Sequence, residues 1–324
     1  MKLTIQTHTA PLKQAFAISR GAKTEAKTVR VTLQLGGYIG RGECVPYPRY
    51  EESCASVTAQ IEGIRSDIEA GLSRADLQSR LPAGAARCAV DCAMWDLEAK
   101  TEKKPVWELA ELPVPKPVET AVTISLDSPA KMGEAARAVL GTLLKLKLGG
   151  ADDIARLEAV HAARPYARLI IDGNEGLIPE DFPEFAKMAA GSGVVLIEQP
   201  FPASDDSALD AIRTDLTVCA DESAHTSDNI PALAKRYGAV NVKLDKTGGL
   251  TEALKMVRAA RDHEMKVMIG CMVAGSLSMA PAVLLAGLAD VVDLDGPLWL
   301  SQDIEDGLAY EGGLVLPPKS VLWG

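Results

Sequence analysis

Leu143-Leu144-Lys145-Leu146-Lys147-Leu148-Gly149-Gly150 is an apolar run broken by two lysines at alternate positions, and its reading decides the fold. As a β-strand it places Lys145 and Lys147 on one face. Comparable short apolar runs begin near residues 119, 168, 194, 217, 239, 266 and 291, about 22 to 27 residues apart, each followed by a turn and an amphipathic helical pattern. That rhythm belongs to βα units in a parallel sheet. Eight such units, none followed by a glycine-rich phosphate loop, fit a closed (β/α) barrel better than an open doubly wound sheet. A barrel strand is packed on both faces, so unpaired ammonium groups on Lys145 and Lys147 are costly unless they snorkel from an edge or meet anions.

Anions are at hand. The next three apolar runs each end in an acid: Leu169-Ile170-Ile171-Asp172, Val194-Val195-Leu196-Ile197-Glu198 and Val218-Cys219-Ala220-Asp221. One such acid reads as a helix cap or turn residue. Three on adjacent strands converge on one barrel mouth, where they repel one another unless a divalent cation uses them as hard oxygen ligands of the kind Mg²⁺ prefers. In the run near 239, Asn241, Lys243 and Asp245 share one face, which aims Lys243 at the same mouth. The runs near 143 and 239 lie roughly opposite in an eight-stranded ring, so Lys147 and Lys243 flank one ligand, an arrangement suited to inverting a carbon. In Val291-Val292-Asp293-Leu294-Asp295 two same-face acids lie too far round the ring to share the first cation and suit a cationic group of the substrate. Asn174 and Asn241 have the parity of donors supporting these residues.

Outward from the barrel, residues 1–115 read as an α+β unit: strands near 2–8, 28–36 and 38–45, then helices near 53–71 and 84–100. The alternating prolines of Leu112-Pro113-Val114-Pro115-Lys116-Pro117 mark an extended connector. Residues 116–300 form the barrel, and 301–324 lack the repeat and are expected to return to the first unit. The chain has 324 residues, 47% hydrophobic and 24% charged, which excludes disorder. A formal charge of −10 with no basic run argues against nucleic acid. No apolar stretch reaches the roughly 20 residues of a membrane span, and no signal-peptide core precedes the first strand, so the mature chain is expected to start at or near Met1. Six scattered cysteines suit buried thiols in a reducing cytoplasm. None of the four histidines has ligand spacing.

Lys145-x-Lys147, Asp172, Glu198, Asp221 and Lys243 in Val242-Lys243-Leu244-Asp245-Lys246-Thr247-Gly248-Gly249 resemble, in order and spacing, the enolase superfamily, its muconate-lactonizing subgroup, and most closely the dipeptide epimerases of the L-Ala-D/L-Glu type. Gly42-Glu43-Cys44-Val45-Pro46-Tyr47-Pro48-Arg49-Tyr50 is similar to that group's capping domain. The resemblance implies an α/β fold, a modified (β/α)7β TIM-like barrel closed by the α+β cap, with Mg²⁺ on Asp172, Glu198 and Asp221. It further implies Lys147 and Lys243 as the acid–base pair, with Lys145 holding the substrate carboxylate and lowering the base's pKa. Asp293 and Asp295 would take the free ammonium of a dipeptide, and Arg20, or less directly Lys23, the side chain of its second residue. Peptidoglycan peptide recycling follows from the family alone, and a homo-oligomer is compatible with all of this. One departure stands out: much of the subgroup has Asp-Ala-Asn then Trp, where this chain has Asp172-Gly173-Asn174-Glu175.

Within the superfamily, an N-acylamino acid racemase or an o-succinylbenzoate synthase uses the same metal and lysines, but leaves Asp293 and Asp295 nothing to bind. A Schiff-base aldolase needs one lysine and no acid trio, and a scaffold protein needs none of them.

Overall fold

The computed structural model describes all of residues 1–324. The chain opens with a three-stranded antiparallel sheet, β1 (Lys2–Ile18), β2 (Gly21–Leu35) and β3 (Tyr38–Cys44). The β2–β3 turn runs through Gly36 and Gly37 at φ 55° and 89°, left-handed conformations cheap only for glycine. β1 is far longer than its apolar alternation suggests. Its outer half is mostly exposed, held by ladder pairing with β2 and interrupted by a register shift between Pro11 and Phe16. The hairpin tip therefore projects Phe16 to Lys23 away from the sheet and over the second unit.

Helices α1 (Cys54–Gly63), α2 (Arg65–Glu69), α3 (Arg74–Arg80), α4 (Ala85–Glu102) and α5 (Val106–Leu109) complete the cap. α4 is buried along almost its whole length because it has the cap sheet on one side and the barrel on the other. It lies against bare backbone: a Cβ on Gly40 would sit 2.3 Å from the Ala93 carbonyl oxygen, and one on Gly42 2.1 Å from that of Ala89.

After the proline connector, β4 (Val118–Glu119) precedes eight parallel strands: β5 (Val122–Ile124), β6 (Leu143–Lys147), β7 (Arg168–Asp172), β8 (Val194–Glu198), β9 (Thr217–Ala220), β10 (Ala239–Val242), β11 (Lys266–Ile269) and β12 (Val291–Val292). They pair in sequence order, and the ring closes where the Ala121 amide donates to the Val292 carbonyl at 2.8 Å. Full helices link several strands: α6 (Pro129–Ala138), α7 (Asp153–Ala163), α8 (Phe182–Gly191), then, after the single turns α9 (Ile230–Leu233) and α10 (Leu244–Thr247), α11 (Leu250–Asp262) and α12 (Ser276–Val283). Two links fall short of the expected helix. After β8 the chain makes only a 3-10 turn at 207–210, because Pro200 and Pro202 break any helical start. After β9 it makes a 3-10 turn and α9.

The run near 119 also differs from expectation. Val118 and Glu119 leave the barrel and pair with a C-terminal hairpin, β13 (Tyr310–Glu311) and β14 (Leu314–Val315). From there the chain returns to the cap, where the Trp323 indole donates to the Cys92 carbonyl and the Gly324 amide to Asp96 Oδ1.

Inside the barrel, side chains stack in layers set by strand parity. Ala121, Leu143, Ile170, Leu196, Cys219, Ala239 and Met268 form an apolar floor. Two residues further along, the same inward face carries Thr123, Lys145, Asp172, Glu198, Asp221, Asn241 and Asp293, all buried. The change from apolar to charged happens within one layer, at the ends where such barrels place their sites.

Candidate active site

The acid trio is fully enclosed: Asp172 and Glu198 are 0% exposed and Asp221 3%. Each carboxylate has one oxygen tied back by the protein. Asp172 Oδ1 accepts the Asn174 amide at 3.0 Å, Glu198 Oε1 the Asn241 side-chain amide at 2.6 Å, and Asp221 Oδ1 the Lys246 ammonium at 2.5 Å. The second oxygen of each meets an ammonium. Lys145 Nζ lies 3.0 Å from Asp172 Oδ2 and 2.6 Å from Glu198 Oε2, and Lys243 Nζ lies 2.7 Å from Asp221 Oδ2. Lys147 Nζ is 2.6 Å from Asp172 Oδ2. The trio shares one barrel mouth, although no three acids approach closely enough to grip an ion between themselves; Lys145 and Lys243 lie among them.

The electrostatics follow from this packing. Burial pushes Asp172 and Asp221 up, but the surrounding lysines outweigh it and hold both below the usual carboxylate range. Glu198 goes the other way, to about 7, because burial and the charge of Asp172 exceed the help of Lys145. Hard carboxylate oxygens at the ends of three adjacent strands, with a central glutamate still short of positive charge, make a donor set whose chemistry fits a divalent cation such as Mg²⁺, which would compete with the Lys145 and Lys243 ammonium groups for the second oxygens.

Lys145 is engaged by Asp172, Glu198 and, at 2.7 Å, Asp293. On Lys243, burial and the charge of Lys145 act downward, but Asp221 and Glu198 prevail and hold it well above the ordinary lysine range. One expectation needs correcting. Asp245 does not share the face of Lys243, because β10 ends at Val242 and Lys243 caps the turn α10, which swings Asp245 away to accept the Val45 amide of the cap at 2.7 Å.

Asp293 and Asp295 are buried but do not reach the cavity wall. Asp295 Oδ2 accepts the Thr123 amide at 2.7 Å and the Trp299 indole at 3.3 Å. Asp293 keeps a buried oxygen, Oδ1, with no hydrogen-bond partner.

Above the trio opens a cavity of about 560 Å³, walled by Lys147 and Asn174 on one side, Asp221, Glu222 and Lys243 on another, and the tip of the β1–β2 hairpin overhead. Arg20 lines it but is engaged, donating to Glu222 Oε1 at 2.7 Å, to Glu175 Oε2 at 3.1 Å and to the Asn174 carbonyl at 2.7 Å. Glu175, standing where much of the subgroup carries Trp, also binds Arg49 at 2.7 Å and so ties the loop after β7 to the cap. Glu222 steadies Arg20. Lys23 is the cavity cation without a carboxylate partner; burial, then the charge of Lys147, lowers its pKa to about 8. Its Nζ and that of Lys147 stand 5.6 Å and 5.7 Å from the centre of the Phe16 ring. Tyr47 and Tyr50 stack in the wall, and His225 packs its edge on Tyr50 without meeting the trio.

Sequence reasoning missed Lys246 and the Glu175 tie. A signal for the first was present: Lys246 follows Lys243 by three residues, about one helical turn, which puts the two on one side of the chain if it turns helical there.

Residues 1–110 match the N-terminal domain family of mandelate racemase and muconate lactonizing enzyme, and residues 130–321 the enolase C-terminal domain-like family. The chain is 44% identical over 306 residues to an L-Ala-D/L-Glu epimerase of Escherichia coli strain K12, covering 94% of this chain and 95% of that one. It is 43% identical over 293 residues to an N-acetyl-D-glutamate racemase of a Pseudoalteromonas species, covering 89% and 92%. Among solved structures, it is similar to an Agrobacterium tumefaciens enolase family member with homology to dipeptide epimerases, holding sodium and L-Ala-L-Glu (TM-score 0.98, 48% identity, 99% of both chains). It is also similar to an Enterococcus faecalis V583 dipeptide epimerase complexed with Mg and L-Leu-L-Tyr (TM-score 0.91, 26% identity, 98% and 96% covered).

Proposed function

This chain belongs to the enolase superfamily, in its mandelate racemase and muconate lactonizing enzyme branch, and from that premise we propose that it is a Mg²⁺-dependent dipeptide epimerase of the L-Ala-D/L-Glu type, inverting the α-carbon of the C-terminal residue. The observation that carries the reading is the pair Lys147 and Lys243, which reach one cavity from strands β6 and β10, separated by the three acid-bearing strands. One lysine removes the α-proton and the other returns a proton to the opposite face.

Asp172, Glu198 and Asp221 would hold Mg²⁺, which supplies an electrophile for the substrate carboxylate and positive charge that offsets the carboxylates' hold on the lysines. Lys145, fixed among the trio, places a further positive charge where the enediolate's negative charge develops, an interaction stronger in the transition state than in the ground state. Asp293, whose buried Oδ1 has no partner, and Asp295 behind it lie beneath the cavity wall and would attract the dipeptide's ammonium through their charge. At the outer wall Lys23, unpaired, takes the distal carboxylate of a glutamate residue, with Arg20 beside it. Asn174 and Asn241 hold two of the trio's tied-back oxygens and Lys246 the third.

The residue range 1–115 acts as cap, 116–300 as catalytic barrel and 301–324 as the return. Six free cysteines accord with a cytoplasmic protein, and a dipeptide epimerase of this type would serve peptidoglycan peptide recycling there. No helix is long and apolar enough to cross a membrane.

A second reading, racemisation of N-acyl glutamate, is favoured by the Pseudoalteromonas relative. A panel of dipeptides and N-acyl amino acids incubated with the Mg²⁺-loaded protein in deuterated water, read by mass spectrometry, separates the two. Label foremost in Ala-Glu supports the dipeptide reading; label foremost in N-acetylglutamate replaces it.

A further inference from the structure

Arg87 is a buried guanidinium that the reaction does not use. It projects from α4 of the cap, 6% exposed, and pairs with no carboxylate. Its donors go instead to backbone carbonyls: Thr247 at 2.7 Å, Gly248 at 3.3 Å, Gln78 at 3.1 Å and Leu81 at 3.4 Å. Glu252 and Asp91 lie near enough to act on its charge, but neither forms an ion pair with it, and burying a charge without a direct partner is costly unless its donors are otherwise satisfied. The Thr247 and Gly248 carbonyls end the turn α10, where the backbone oxygens left over by a helix concentrate negative charge.

The start of that turn is Lys243. The Thr247 amide returns to the Lys243 carbonyl at 3.0 Å and the Gly248 amide to that of Leu244 at 2.9 Å, so the carbonyls that Arg87 grips are one helical turn from the backbone carrying the Lys243 ammonium. The fit is tight. Gly248 has φ 79°, and a Cβ there would stand 2.4 Å from Arg87 Nε; Gly249 has φ 109°, and its Cβ would stand 2.5 Å from Asp91 Oδ2, also on α4. Asp91 goes on to accept the Thr251 amide at 3.0 Å. The segment holding Lys243 is thus seated on the cap helix, whereas Lys147 is held by its own ladder, paired with Asp172 on β7.

We propose that Arg87 is a positioning residue for Lys243, acting from the cap across the domain boundary. The proposal rests on the reading of Lys147 and Lys243 as the two acid–base groups. A merely structural arginine would, when replaced, slow α-proton exchange of both epimers alike. A positioning residue for one lysine slows proton transfer to and from that lysine, and so the exchange of the epimer it deprotonates, because small misplacement of a reacting group is enough to slow its step.

The test measures α-proton exchange in deuterated water, from L-Ala-L-Glu and from L-Ala-D-Glu separately, with the full-length Mg²⁺-loaded protein. Lys243→Ala first identifies the epimer that Lys243 deprotonates. Arg87→Met is then expected to slow exchange of that epimer on the order of tenfold or more, with the other changed by less than about twofold, and Arg87→Lys to restore most of the loss. Equal slowing of both epimers, or none, overturns the proposal. If Arg87→Met does not give a cooperative melt, Gly248→Ala displaces the same carbonyls from the barrel side, and the same asymmetry is expected; symmetric slowing there overturns the proposal equally. If Lys243→Ala itself silences both epimers alike, the two-base reading fails and the proposal with it, an outcome distinct from asymmetry in Lys243→Ala without asymmetry in Arg87→Met.

Discussion

Lys147 sits within β6, paired in register with Asp172 of β7, its neighbour Leu148 donating to the Asp172 carbonyl at 3.0 Å. Lys243 sits one residue beyond the end of β10, at the head of a single turn, α10, that the cap grips through Val45 and Arg87, while Asp91 holds the start of α11 that follows it. Two groups with matching chemical duties therefore depend on different parts of the molecule. The first is placed by the barrel ladder, the second by contact between domains. A strand within a sheet fixes a side chain by hydrogen bonds on both flanks, while a turn past the strand end must borrow its rigidity. Cap and barrel need not dissociate for the second arrangement to loosen; a small shift of α4 suffices.

The largest expected effect treats both seats alike. Lys147→Ala and Lys243→Ala should each reduce epimerisation by at least about 10³-fold, the scale of a lost general acid or base, measured by polarimetry or coupled assay. Each should keep exchanging the α-proton of one epimer, and not the same one. Near-normal turnover in either variant would remove the equivalence on which the comparison stands.

Next comes a change meant to break the comparison from the cap side. Gly42→Ala puts a methyl group 2.1 Å from the Ala89 carbonyl and 2.7 Å from the Ala93 amide, both backbone atoms of α4 that cannot yield. The overpacking should cost about 1–3 kcal/mol of stability or more, seen in thermal melts. Residual activity should be lost first in the epimer served by Lys243. A melt unchanged from the parent would mean that α4 moves freely over the cap sheet, contrary to its close approach.

Much of this comparison is legible in the amino-acid sequence. Strand positions and inward parity follow from short apolar runs because a barrel strand must be apolar outside and on its floor, so charges at alternate positions near its end can only face the mouth. That logic locates Lys145, Lys147, Asp172, Glu198, Asp221 and Lys243. It fails where the strand stops: Asp245 keeps the parity of Lys243 in sequence, but the backbone turns helical between them. Arg87 is illegible for another reason. Its partners on the barrel are main-chain carbonyls from residues 160 and 161 positions away, and no residue type announces a carbonyl. The outer half of β1 is likewise hidden, since its exposed residues are held by pairing rather than by burial. The direction of Lys145 is legible and its partners are not, because period two says which way a side chain points and nothing of which of several acids it meets.

A smaller effect belongs to the Lys147 half of the cavity, where the hairpin supplies Lys23, which feels the charge of Lys147 more than that of Lys243. Lys23→Met should raise KM for L-Ala-L-Glu on the order of tenfold, the value of a charged hydrogen bond, with kcat little changed. The preference for Ala-Glu over Ala-Leu should fall by the same factor. If Arg20→Met instead carries the whole loss of preference and Lys23→Met none, the unpaired lysine is not the anchor, and Glu175 and Glu222 must release Arg20 when substrate enters.

The smallest effect returns to the Lys243 half and is one of pH. Asp245 is buried, and burial, with Glu52 and Glu43 nearby, outweighs the Val45 amide and Lys243 to raise its pKa to about 7. An acid whose pKa is higher folded than unfolded binds its proton more tightly in the native state, so its contribution to stability is complete below the unfolded value near 4 and is lost as pH rises through about 7. Asp245→Asn keeps an oxygen for the Val45 amide and removes the titration. The melting temperature of the variant should therefore gain on that of the parent as pH rises from about 5 to about 8, by on the order of 5 °C. Because the group lies between the cap and α10, the parent but not the variant should show weakened exchange of the Lys243 epimer over the same window. A difference in melting temperature that is flat with pH would place the charge of Asp245 outside the domain contact and leave Arg87 and Asp91 as the grip on the second lysine.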